Sequence, residues 1–118
     1  MIRLRQLAEG PDTLTETEAV TLAVLLADED RMGAVLCRLD PDTAEGFWAR
    51  LVAVRRVCPA RYEPNVLALL AAASWLSGRG AAHTSCLQQL SEVDPCHPLL
   101  LTLMRLHADG VPPSRWKG

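Results

Sequence analysis

His83, Cys86, Cys96 and His97 are the side chains whose types and spacing come nearest to a metal site. At helical spacing His83 and Cys86 share one face, and the adjacent Cys96-His97 pair follows the next turn. None of the four cysteines (Cys37, Cys58, Cys86 and Cys96) belongs to a C-x-x-C pair, the spacing that zinc ribbons and dithiol redox centres use. Asp94-Pro95 and Pro98 also suit His97 to an ordinary helix cap. The cysteines therefore read as small buried hydrophobes, the quartet stands only as a candidate, and no metal or cofactor is expected.

Catalytic arrangements are harder still to assemble. Ser74, Ser77, Ser85 and Ser91 lack the flanking glycines of a nucleophile elbow, and no acid stands at a set spacing from any of the three histidines. The chain is not read as an enzyme. Arg50, Arg55, Arg56 and Arg61 form the one basic concentration; a solvated helix end is the plain reading, and contact with an acidic partner the functional one. An alternative reading gathers Trp48, Tyr62, Trp75 and the His83/Cys86 face around a pocket for a small ligand or substrate.

The whole chain bounds these possibilities. Its 118 residues make one domain with enough interior to fold without disulfides or metal, and 49% of them are apolar. Twelve bases against fourteen acids leave a net charge of −2, so the basic footprint that drives phosphate binding is missing and nucleic acid is not expected as a partner. The opening residues MIRLRQLAEG never give the apolar core of a signal peptide, and the uncharged run from Val66 to Gly78 falls short of a membrane span. A cytoplasmic protein that does not enter the membrane is the expectation.

Six helices must position these side chains. Residues 1–14, broken by Gly10-Pro11-Asp12, read as an arm and residues 111–118 as a tail, with one helical domain over 15–110. Thr15 and Glu18 make a capping box that starts a helix running to about Asp28. Asp28-Glu29-Asp30 suits the N-terminus of the next, which carries the stripe Met32, Val35, Leu36 and Leu39. Asp40-Pro41-Asp42 stops that helix and opens a third, with Asp42 as cap, and Cys58-Pro59 ends it. From Pro64 to Pro95 the pattern gives a helical hairpin about Gly78-Arg79-Gly80. Its first helix is apolar on every side and so must be central; Gly78 stands at the left-handed cap position. His97-Pro98 opens the last helix, closed by Gly110.

The fold class is therefore all-α, three antiparallel hairpins stacked as a solenoid or closed as a compact bundle. Set against the tetratricopeptide template, Leu67, Leu70, Ala71, Ser74, His83, Leu87, Leu90 and Pro95 match in part, and no second copy appears. A closer likeness lies in the order Trp75, Leu76, Gly78, Ala81, then Asp94-Pro95, then Gly110, Pro112 and Pro113. In these residues, and in LTETEAVTLAVLLADEDRMGAVL before them, the chain resembles the uncharacterised actinobacterial domain-of-unknown-function family four-one-nine-two. That resemblance implies a helical fold and no particular activity, since its motifs are caps and packing residues; it also implies relatives with a further N-terminal domain.

A non-catalytic helical interaction or scaffold module fits this inventory best, with the small ligand-binding protein or enzyme as the alternative. Its partner would be another protein or a second copy of the chain. Between Ala19 and Ala27 only Thr21 interrupts the apolar run, more than one neighbouring helix can cover. Leu22 and Leu26 are accordingly expected at an interface, alongside Arg50, Arg55 and Arg56.

Overall fold

The computed structural model describes residues 14–108, with side chains through Arg105. Six α-helices lie among them: α1 (Glu16–Leu26), α2 (Glu29–Arg38), α3 (Ala44–Val57), α4 (Glu63–Leu76), α5 (Gly80–Val93) and α6 (Leu100–Ala108), with a short 3-10 turn, Ala60–Tyr62, between α3 and α4. There are no strands among the described residues, and the all-α class stands. The expected arm other than Leu14, the Gly110 stop and the tail lie outside them.

Local chemistry sets the helix ends. Thr15 Oγ1 accepts from the Glu18 N–H at 3.2 Å while Glu18 Oε1 accepts from the Thr15 N–H at 3.0 Å, which completes the capping box. Asp28 caps α2 by accepting from the Arg31 N–H at 3.0 Å. At the start of α3 the working residue is Asp40 rather than Asp42. Its carboxylate accepts from the N–H groups of Asp42 and Thr43 at 2.8 and 2.9 Å, so the aspartate ahead of Pro41 closes the turn and leaves Asp42 exposed. The α4–α5 turn is a Schellman motif. Gly78, at φ 78°, donates to Trp75 O and Arg79 N–H donates to Ser74 O at 2.8 Å. Only glycine takes that backbone conformation without strain.

Packing radiates from α4. Every residue from Val66 to Leu76 is buried, and the helix touches α1, α2, α3, α5, α6 and the 3-10 turn. Ala68, Ala71, Ala72, Ala73 and Ser74 keep its surface small, so α3 and α5 pack closely on either side. Ser74, buried with them, satisfies its hydroxyl by donating to Leu70 O at 2.7 Å. Around this axis sit Leu22 and Leu26 of α1, Leu51 and Val54 of α3, and Leu90 of α5, all wholly enclosed. Burial of each such leucine stabilises by roughly 1.5–3 kcal/mol. One helix sheathed by its neighbours is a bundle rather than a stack of hairpins. Contrary to the expected pairing, α1 packs more extensively on α3 than on α2: α2 buries only Met32 and Val35, with Leu36 partly buried beside them and Leu39 enclosed just past its end.

Candidate functional site

The first turn of α4 brings the polar chemistry together. Pro64 rigidifies that turn, and the next residue, Asn65, is half-buried where α1 ends. Its Nδ2 donates to Leu26 O at 2.7 Å, which satisfies a carbonyl that the C-terminus of α1 would otherwise leave open. Its Oδ1 lies 2.8 Å from Nε2 of His97, in the turn between α5 and α6. On the other side of the imidazole, Nδ1 accepts from the Leu99 N–H at 3.1 Å. A backbone donor at Nδ1 fixes the proton on Nε2, which then donates to Asn65. Burial lowers the proton affinity of His97, against the opposing pull of Asp94 and Glu29. The geometry thus holds a neutral imidazole with both nitrogens engaged.

This relay forms one wall of a cleft of about 420 Å³, within the range of ordinary binding sites. Met32, Gly33 and Leu36 of α2 supply the facing wall, Pro64 and Leu99 add apolar surface, and Ala27 closes the end beneath α1. Glu29 and Asp94 stand at the His97 end. Tyr62 and Arg61 stand on the 3-10 turn, where the Arg61 guanidinium lies 5.0 Å over the tyrosine ring. Among the described residues its walls offer apolar contact, two carboxylates, an amide, an imidazole, a phenol and a guanidinium.

The sequence-derived candidates fall elsewhere, with three exceptions: Arg61, Tyr62 and His97 line the cleft, whereas Trp48, Trp75 and His83 do not. Trp75 is core, and His83 is fully enclosed with Nδ1 donating to Ala71 O at 2.8 Å. Trp48 is half-buried beneath the Arg79 guanidinium, 4.0 Å from its ring, and Arg79 reaches on to Glu45 at 3.1 Å. This clasp joins α3 to the α4–α5 turn. Of the metal quartet, Cys86 is buried, Cys96 is exposed and the histidines are engaged as described. No group of three or more metal-ligating side chains converges among the described residues.

The interface residues need correction. Leu22 and Leu26 are 0% exposed, on a helix that packs against α2, α3, α4 and the 3-10 turn. The exposed apolar residue of that helix is Val24. Nor do the arginines make one patch. Arg55 donates to Glu63 at 2.9 Å and to Gln89 at 3.3 Å, tying α3 to α4 and α5. Arg50 is half-buried, leaving Arg56 exposed on α3 and Arg61 on the following turn. Sequence reasoning missed Asn65, although an amide just ahead of an unbroken buried run was a visible signal.

A helical bundle with a polar relay at one end defines the class. The chain belongs to the family described as Domain of unknown function (DUF4192), whose model matches residues 2–114. That match extends over most of the expected arm and into the expected tail. Comparison with curated proteins and with solved structures finds no match to the chain.

Proposed function

We infer that this domain is a non-catalytic helical interaction module whose recognition surface is the cleft between α2 and the α5–α6 turn. The observation that carries the reading is the cleft itself, one wall of which is fixed by the relay Leu26–Asn65–His97–Leu99. A rigid wall of this kind lowers the ordering cost of binding. The occupant is a segment of another protein, and a second copy of the chain is the other source of such a segment. Four free thiols, two of them exposed, support a reducing, cytoplasmic setting. No helix among the described residues is long and apolar enough to cross a membrane.

Gly33→Trp tests this. Gly33 lines the cleft, and a Cβ added there meets nothing within 4 Å, so a large side chain at this position starts without a clash and projects from a cleft-lining residue. Affinity capture from host lysate followed by mass spectrometry should return a discrete partner with the wild-type chain and lose it with the variant. Capture of the same proteins by both would remove the cleft from recognition.

The small-ligand reading has one observation in its favour, the size of the same cleft. Native mass spectrometry of freshly purified chain distinguishes it, because a retained small molecule would appear as a discrete added mass.

A further inference from the structure

We propose that the cleft receives a short segment of a partner polypeptide in which a basic side chain stands next to an apolar anchor. This rests on the interaction-module reading and adds the chemistry of the partner.

Met32, Leu36 and Leu99 give the cleft apolar walls, which gain only from a hydrocarbon group, so a bare cation does not account for them. Charge is unevenly placed around those walls. Glu29 at the start of α2 and Asp94, whose carbonyl accepts from the His97 N–H at 3.0 Å, both line the cleft, and neither carboxylate has an ion pair among the described residues. Among the described residues the one lining cation, Arg61, is stacked on Tyr62 of the 3-10 turn. His97, held neutral by the Leu99 N–H on Nδ1, adds no positive charge to offset the two acids. Asp28 and Asp30, both exposed, extend the acidic character along the start of α2. An apolar anchor between the walls with an arginine or lysine beside it meets both features at once, and a polypeptide supplies the two on adjacent residues. An acidic segment would instead bring like charges together at the His97 end.

The test uses the full chain and immobilised peptides of about nine residues, which when extended outreach the domain's 24 Å shortest dimension. A central leucine is fixed, the residue beside it is arginine, alanine or glutamate, and the other positions are randomised. At low salt the arginine series should bind about tenfold more strongly than the glutamate series, with alanine between, and added salt should narrow the gap. Glu29→Gln, a substitution at an exposed first-turn position, should reduce the preference to about twofold or less. Gly33→Trp should abolish binding of all three series. Equal or stronger binding of the glutamate series, still blocked by Gly33→Trp, would overturn the charge assignment and leave the cleft as the docking site. Arginine-series binding untouched by Gly33→Trp would overturn the proposal by placing it elsewhere. If no series bound and the lysate partner were still captured by Gly33→Trp, the interaction cleft itself would fall.

Discussion

His97 Nε2 sits 2.8 Å from Oδ1 of Asn65, and through that single amide the α5–α6 turn is tied to the last turn of α1, because the same side chain donates to Leu26 O. Three segments far apart in sequence meet in one relay. Asn65→Leu removes both bonds and leaves a buried imidazole N–H facing hydrocarbon, at a cost of about 1–3 kcal/mol for the orphaned group. Urea unfolding should show a lower midpoint with an unchanged slope. An unaltered midpoint would mean that the relay contributes nothing to stability.

Protonation of His97 places a second N–H against the Leu99 N–H. Burial already depresses its proton affinity, so the folded midpoint lies below the ordinary 6.5. Between that depressed value and 6.5 the unfolded chain binds the extra proton and the folded chain does not. Stability is therefore full above about pH 6.5 and declines as the pH falls towards the folded midpoint. Titration of the His97 ring resonances by NMR should give a midpoint under 6.5, and His97→Gln should remove part of the acid-side fall in melting temperature. A midpoint above 6.5 would contradict the relay's proton assignment.

Leu22 and Val24 separate core from surface on one helix. Leu22 is wholly enclosed and Val24 is 44% exposed. Leu22→Ala should cost about 2–5 kcal/mol, while Val24→Ser should stay within about 0.5 kcal/mol of wild type. Thermal melts of the two variants check the difference, and the reverse ranking would place α1 the other way round.

The thiols should react in two classes. Cys37 and Cys96 are exposed, Cys86 is buried and Cys58 partly so, and desolvation raises the pKa of Cys58 and Cys86 against the influence of Arg55. Under native conditions Ellman's reagent should modify Cys37 and Cys96 quickly and the other two slowly. Since all four are free, dithiothreitol should leave the melting temperature unchanged; a fall of several degrees would indicate a disulfide worth a kcal/mol or more.

Helix boundaries, the capping box and the central hairpin were legible because each depends on residues near in sequence: Thr15 with Glu18, Gly78 with Ser74 and Trp75. The enclosure of α4 was legible too, since its apolar residues leave no polar face. What escaped depends on packing between distant segments. An all-round apolar α1 says that it is covered, not by what, and among the described residues α2, α3, α4 and the 3-10 turn pack against it. His97 was noticed as a cap and a metal candidate, but its partner Asn65 lies 32 residues away, a separation for which local spacing gives no rule. Arg55 likewise looked like part of a basic surface until Glu63 and Gln89 were placed beside it.

Hydrogen exchange on the chain alone and with its captured partner tests the central claim most directly. Slower exchange on binding should fall on the amides of Gly33 and Leu36, Tyr62 and Asn65, and His97 and Leu99, the two walls of the cleft. Protection confined instead to the exposed Val93, Leu101 and Met104, with the cleft amides unchanged, would contradict it.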